Sequence, residues 1–325
     1  QGGDFSGKIA DWRLVGAPLQ RVSTFESGVD TDDSLLQIAF VNLWENSGSP
    51  DFYTMPPGVS EPRKLNNPDP RQDVKMNEQS ISIKVNNLPQ GEERMAVRIF
   101  RPIDVFYYKK LKLFFHGDGT MPADPNASVK AYAYIRFGID SANYYEYRTP
   151  LQRGWQEVEI NLEELTAIKQ DRDSINLYRR VERSVRGKPG DSYAIKGNPI
   201  LTRVRFFGLG ISNPSKSFQE LTTTMWVNEL RLVSPESSAD WAGVGSFNMK
   251  LADLGTISAN FRNQQPNFHR LEDRFGDRVS STNWSVTMQG DLDKFAPKSF
   301  KQMKIPITYT HSERMDTPEY MANND

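Results

Sequence analysis

Cysteine does not occur in the 325 residues of this chain. Disulfide bonds and metal sites with cysteine ligands are therefore excluded within it, and the compartment cannot be inferred from thiols. Histidine is scarce too. His116, His269 and His311 lie in different regions, without the short spacing of metal-binding histidines. The sequence predicts no metal and no cofactor.

Long apolar runs are also missing. No stretch of about 18 apolar residues occurs, so no transmembrane helix is predicted. The strands of a membrane barrel need only about 10 alternating residues each, and that class stays open. The first residues, QGGDFSGKIADW, lack the basic start and apolar block of a signal peptide. If the protein is exported, we expect a fragment or a chain whose signal has been removed.

Neither charge sign dominates, and recognisable catalytic motifs are lacking. The chain has 40 basic and 41 acidic residues, whereas nucleic-acid binding usually requires a basic excess. There is no glycine-rich phosphate loop and no G-x-S-x-G motif. Glu157 and Glu159 are a candidate glycosidase pair, but two carboxylates on one solvated strand face explain the spacing more simply. We therefore expect no catalytic residues and no enzymatic activity.

The middle of the chain is rich in short segments that alternate between apolar and polar residues. Such segments, separated by turn residues, are typical of an antiparallel β-sandwich or jelly roll. We predict this fold for residues 76–235, with one short helix at 161–170 capped by Asn161. The predicted strands are 80–85, 95–100, 107–116, 130–138, 143–149, 155–160, 204–211 and 225–233.

Two regions are less regular, the residues before the predicted sandwich and a basic stretch within it. Residues 1–75 are predicted to form an extended or linker arm with one short element, a strand or a helix at 34–44. The Pro- and Gly-rich stretch 50–70 is either an arm that packs on a neighbouring domain or a surface linker. The basic stretch 178–188 is predicted to be a solvated loop, with contact to an acidic partner as the alternative.

Residues 236–325 show the clearest alternation of all. Trp241 to Phe261 is predicted to be a hairpin with a tight turn at 253–255, and a second strand pair follows the long polar loop 262–281. The pattern fits either a soluble sheet or hairpins of a transmembrane β-barrel, in which the apolar face contacts lipid. In the second case the predicted lipid-facing residues are Phe247, Met249, Ile257, Phe261, Trp284, Val286, Met288, Ile305, Ile307 and Tyr309.

Tyrosine is concentrated in two neighbouring predicted strands. An aromatic face on a sandwich can stack on sugars, which makes a secreted carbohydrate-binding module the alternative function. Packing in the core or between the sheets explains the same residues. The candidate aromatic contact surface consists of Tyr132, Tyr134, Tyr144, Tyr145 and Tyr147.

Several longer blocks resemble a known family. They include MNEQSISIKVNNLPQGEERMAVRIF at 76–100, NYYEYRTPL at 143–151, IKGNPILTRVRFFGLGISNP at 195–214, and WVNELRL at 226–232 followed by KLADLGTIS at 250–258. Together they are similar to the SprA/Sov family, the giant outer-membrane protein of the type IX secretion system of Bacteroidota. Members of that family are far longer, so the chain resembles an internal piece.

The resemblance implies a function and partners. It implies a cell-surface outer-membrane translocon that exports folded cargo carrying a C-terminal secretion domain, including adhesins for gliding motility. The implied partners are a PorV-type shuttle barrel, a periplasmic plug protein, the cargo and outer-membrane lipid, without nucleic acid. It also favours the barrel interpretation of residues 236–325. With the short turn at 253–255 on the periplasmic side, the sandwich is expected at the extracellular end.

Overall fold

The structure is a computed structural model, and it describes residues 19–22, 34–43, 46, 52–59, 78–124, 127–172, 175–214, 219–236, 238, 240–273, 275–295 and 304–319. The chain divides into two compact units, Gln1–Pro235 and Glu236–Asp325. The described secondary structure is mostly antiparallel strand, which confirms the all-β prediction.

The first unit is a β-sandwich. Its larger sheet has the strand order β1-β4-β11-β6-β7-β10-β9, and its smaller sheet has the order β2-β3-β12-β5-β8. The strands are β1 (Gln20–Val22), β2 (Leu36–Asn42), β3 (Gln79–Leu88), β4 (Glu93–Ile103), β5 (Tyr108–Gly117), β6 (Tyr132–Asp140), β7 (Asn143–Pro150), β8 (Gly154–Asn161), β9 (Val181–Ser184), β10 (Ser192–Lys196), β11 (Val204–Ser212) and β12 (Leu221–Pro235).

Strand alternation builds the core between the two sheets. Alternate residues point to the same face, so one face of each sheet becomes apolar. Ile83, Leu113 and Phe115 of the smaller sheet are fully buried, as is Phe137 of the larger one. Burying each such side chain contributes about 1.5–3 kcal/mol. The opposite face of each sheet is called its outer face below.

The predicted helix is confirmed in position but is shorter than expected. Helix α1 spans Leu162–Thr166, and a 3-10 helix follows at Ala167–Asp171. The Asn161 side chain accepts hydrogen bonds from the backbone N–H groups of Glu163 and Glu164, as the capping prediction required. A second 3-10 helix lies at Leu201–Arg203.

The predicted arm and the predicted basic loop both contribute strands. β1 pairs with β4 and β2 pairs with β3, so the ambiguous element at 34–44 is a strand. Of the Pro-rich stretch 50–70, residues 52–59 are described and the remainder lies outside the described residues. β9 begins inside the basic stretch and pairs with β10, which was not predicted at all.

The second unit contains a four-stranded antiparallel sheet with its strands in chain order. They are β13 (Ala242–Leu251), β14 (Gly255–Gln264), β15 (Val279–Asp291) and β16 (Pro306–Pro318). A 3-10 helix at Leu292–Phe295 follows β15. The first residue of β14 must be Gly255, since a Cβ atom there would lie 2.1 Å from the carbonyl oxygen of Gln289 in the neighbouring β15. The connection 252–254 is short, as predicted, whereas the connections 265–278 and 292–305 span 14 residues each.

Candidate functional site

The register of the four-stranded sheet places like residues side by side. Directly opposed residues in an antiparallel sheet share a face. Met249 opposes Ile257, Ile257 opposes Met288, and Met288 opposes Tyr309. This row belongs to a surface called here the apolar face. Its other large apolar members are Phe247, Leu251, Phe261, Trp284, Val286, Ile307 and Met315.

The opposite side of this sheet, called here the polar face, is built mainly from hydroxyl and amide side chains. Its central row is Ser246, Asn260, Ser285 and Ser312. The remaining members are Ala242, Val244, Asn248, Lys250, Thr256, Ser258, Arg262, Gln264, Ser281, Asn283, Thr287, Gln289, Thr308, Thr310, Arg314 and Asp316. A single sheet therefore separates two chemically different surfaces.

The predicted lipid-facing residues all lie on the apolar face, except Ile305, which immediately precedes β16. None of them is buried. Phe247 is 54% exposed and Tyr309 is 57% exposed, whereas Ile257, Trp284 and Val286 are half-buried. The structure thus brings together a continuous patch of exposed apolar side chains, which marks an interaction surface in proteins generally.

Two ionisable groups interrupt the apolar face on β16. Glu313 accepts a hydrogen bond from the Trp284 indole nitrogen at 3.2 Å. The His311 ring lies 5.0 Å from the Trp284 ring. Both groups therefore contact the same amphipathic side chain, and the remaining rows of this face towards Ile307 are apolar.

The five candidate tyrosines do not share one face. Tyr145 and Tyr147 point to the inter-sheet core, where Tyr145 packs 5.9 Å from Phe137. Tyr134 and Tyr144 point to the outer face of the larger sheet and are also buried. Only Tyr132 is half-buried. The set does not form an open stacking surface in this structure.

A buried ionic network occupies that outer face. Glu146, which is fully buried, contacts the guanidinium groups of Arg136, Arg148 and Arg180. Glu93 binds Arg136 at 2.6 Å and Arg148 at 3.0 Å. Burial raises the pKa of Glu146, but the three arginines outweigh burial and hold that pKa at about 2. With Glu182, which also binds Arg180, three carboxylates balance the three arginines, and the sequence did not reveal this network.

The basic stretch and the carboxylate pair are also held by internal contacts. Arg180 binds Glu182 and Glu146, and Arg183 binds Asp171. Glu159 accepts hydrogen bonds from Lys110 and Lys112, which lower its pKa to about 2. A general acid in glycoside hydrolysis requires a raised pKa instead, so the geometry of this pair does not favour that role.

In the described part of the chain, no helix is long and apolar enough to span a membrane. Within the same ranges, no group of three or more histidine, aspartate or glutamate side chains is arranged to hold a metal ion.

Fold and surfaces together define an all-β protein that joins a sandwich to a two-faced antiparallel sheet. The family model SprA_N, described as "Motility related/secretion protein", matches residues 9–325. The chain belongs to this family, and a role in motility or secretion follows from it. No curated protein matches the chain.

Among solved structures, one similar chain is the "Family 11 Carbohydrate-Binding Module from Clostridium thermocellum in complex with beta-1,3-1,4-mixed-linked tetrasaccharide". It shares 10% sequence identity, and the alignment covers 72% of this chain and 94% of that one with a TM-score of 0.34. At that score the likeness supports no conclusion about function.

Proposed function

We propose that this chain is a non-enzymatic part of the outer-membrane translocon of the type IX secretion system. The family assignment supports the secretion role. The observation that carries the membrane role is the register of β13–β16, which aligns one apolar and one polar face across all four strands. In a membrane barrel the apolar face contacts lipid and the polar face lines a wet interior.

The dimensions of the apolar face fit this proposal. It extends from the row of Gly243, which also contains Asn263 and Thr282, to the row of Leu251, about 27 Å along the strands at about 3.4 Å per residue. A strand tilt of about 40° reduces this to about 20 Å of membrane depth, close to the band of about 25 Å found in outer-membrane barrels. Burial in lipid would remove the exposed apolar patch from water.

Partners and orientation follow from the family resemblance. We propose that the translocon exports folded cargo with a C-terminal secretion domain, including gliding adhesins, and works with a PorV-type shuttle barrel and a periplasmic plug protein. The short turn at 252–254 would be periplasmic and the long loop at 265–278 extracellular. The sandwich, which precedes β13, would then lie at the extracellular end. Protease treatment of intact cells should cleave it; protection until the outer membrane is permeabilised would refute this orientation.

The absence of cysteine allows a direct test of the two faces. Single cysteines introduced at successive positions of β15 from 281 to 289 can carry a nitroxide label in membranes of cells that produce the protein. The collision rate of the nitroxide with oxygen, which concentrates in lipid, should be highest for labels at positions 284, 286 and 288. Its collision rate with a water-soluble nickel complex should be highest for labels at positions 283, 285 and 287. Equal aqueous access to both sets would refute a lipid-facing surface.

A further inference from the structure

The outer face of the smaller sandwich sheet carries an aromatic cluster. Trp226 of β12 stacks on His116 of β5, with ring centres 4.3 Å apart and planes 14° apart. Trp155 of β8 lies 4.9 Å from His116. These residues are cross-strand neighbours in one row of the sheet. Trp226 is only 5% exposed, so the cluster is covered in this structure, although it lies on the outer face.

Residues 52–59, called here the strap, cover this cluster. The Tyr53 ring lies 5.4 Å from the Trp226 ring and 6.3 Å from the Trp155 ring, and Tyr53 is 2% exposed. The neighbouring Phe52 is 65% exposed. Tyr53 is therefore the side chain that inserts into the cluster.

Polar groups beside the cluster hold the Tyr53 hydroxyl. It lies 2.7 and 2.9 Å from the two carboxylate oxygens of Glu78, to which it donates, and 2.8 Å from the Ser80 hydroxyl. The Asn228 amide donates to it at 3.2 Å. The site therefore satisfies both the donor and the acceptor capacity of a phenol.

Side chains fasten the strap to the sheet. The Trp155 indole N–H donates to the backbone carbonyl of Thr54 at 2.8 Å, next to the contacts of Tyr53. The backbone hydrogen bond from Val59 to Pro56 is internal to the strap. The strap has no strand assignment, in contrast to β2 and β3 of the same sheet. Segments outside a ladder of backbone hydrogen bonds open at lower free-energy cost than paired strands.

We propose that this cluster is a docking site for a tyrosine in an extended segment of a partner protein, and that the strap fills it in cis. The contacts of the Tyr53 side chain indicate which ligand the site would bind. Glu78 also accepts a hydrogen bond from the half-buried Asn228 amide, but a phenylalanine would remove its hydroxyl donor, which is costly for a buried carboxylate. A phosphotyrosine would place its negative charge against the Glu78 carboxylate. The site thus selects an unmodified tyrosine. This proposal is independent of the membrane role.

Tethering explains how the site is kept closed. An intramolecular occupant competes at an effective concentration in the millimolar range, so a free peptide binds weakly until the strap leaves. Removing the Tyr53 side chain should therefore open the site to ligands in trans. The matched control is Phe52→Ala, which shortens the exposed neighbour and leaves every contact of Tyr53 in place.

The test uses the full chain in detergent and a fluorescein-labelled peptide with the sequence DFYTMPPGV, residues 51–59. In fluorescence anisotropy, Tyr53→Ala should bind this peptide saturably and at least tenfold more tightly than the wild type or Phe52→Ala. Peptides with phenylalanine or phosphotyrosine at the position of Tyr53 should bind at least tenfold more weakly. Adding Asn228→Ala to the Tyr53→Ala chain should reduce binding by a similar factor.

Folding and self-association are controlled in the same samples. Hydrogen exchange of β3 and β12 must match the wild type. If Tyr53→Ala fails this check, Tyr53→Phe replaces it; it should speed exchange in residues 52–59 at least tenfold and admit the tyrosine peptide. Absence of saturable binding up to millimolar peptide would overturn the proposal. Equal binding of tyrosine and phenylalanine peptides, or exchange of straps between two copies seen as a dimer, would overturn it too.

Discussion

The sandwich and the four-stranded sheet share the same strand alternation, but only the sandwich buries its apolar faces. In the sandwich, apolar faces meet each other, and even the ionic side chains of the outer face, such as Glu146 and Arg136, are buried. In β13–β16 no residue is buried, although one face is rich in large apolar side chains. The sandwich completes its own core. The sheet presents two surfaces that differ in their affinity for water.

This difference shows where each region obtains its stability. Changing one buried residue of the sandwich should lower its stability. The side chains around it are packed as densely as in a crystal, so even a small change in volume disturbs their contacts. The exposed sheet gains little from its own side-chain contacts, and we expect its environment to supply the missing burial. Four predictions test this contrast, in order of decreasing effect.

The largest effect is expected for Glu146→Ala in the sandwich. The substitution leaves Arg136, Arg148 and Arg180 without their common carboxylate, and breaking such a buried pair costs about 3–5 kcal/mol. The matched change Glu157→Ala removes an exposed partner of Lys112 and should cost at most about 1 kcal/mol. Urea unfolding of the full chain in detergent measures both. Equal losses would contradict the buried network.

Acid should weaken the sandwich through the same carboxylate. The pKa of Glu146 is lowered to about 2, so its contribution is fully present above the unfolded-state pKa of about 4.3. The contribution is lost as the pH falls through the folded-state value. The free energy of unfolding should therefore drop by about 3 kcal/mol more in the wild type than in Glu146→Gln between pH 5 and about pH 2. Parallel pH profiles would argue against this linkage.

A charge on the apolar face should interfere with membrane insertion. Val286 lies in the central row of that face, and arginine in the middle of a bilayer costs about 2–4 kcal/mol. The control Ser285→Arg places the same charge on the polar face one residue away and should cost much less. Urea-dependent folding of the full chain into phosphatidylcholine vesicles gives both values. A similar penalty on both faces would remove the distinction between them.

The smallest effect compares two glycines. A Cβ atom at Gly210 of the sandwich would lie 2.3 Å from Cζ of Tyr134, whereas one at Gly245 of the sheet would meet nothing within 4 Å. Gly210→Ala should therefore cost about 1–3 kcal/mol through overpacking. Gly245→Ala should change stability by about 0.5 kcal/mol or less. Hydrogen exchange of β11 and β13 reports each change locally, and an insensitive β11 would show that Tyr134 can move aside.

Much of the secondary structure could be predicted because it depends on the local alternation of apolar and polar residues. The alternation of Trp284, Val286 and Met288 with polar residues identified both β15 and its two faces. β9 and β10 were missed since they are short, and the charged residues of β9 alternate weakly. Their strand character comes from pairing with each other and with β7.

The candidate sites were less accessible to sequence reasoning. Tyr145 and Tyr147 follow Tyr144 closely, yet they point to the core because strand direction and sheet stacking assign each face. The basic stretch was predicted to be a solvated loop, with an acidic partner as the alternative, but its Arg180 pairs with Glu146, which lies 34 residues away. Such pairings depend on which strands become neighbours.

The sequence by itself determined the all-β character, the capped helix and the two-faced alternation of residues 241–309, because each depends on neighbours a few positions apart. Tertiary structure alone decided that Glu146 is surrounded by three arginines and that Tyr53 meets Asn228 across 175 residues. Burial and charge pairing depend on distances in space, and those are fixed only when the sheets assemble.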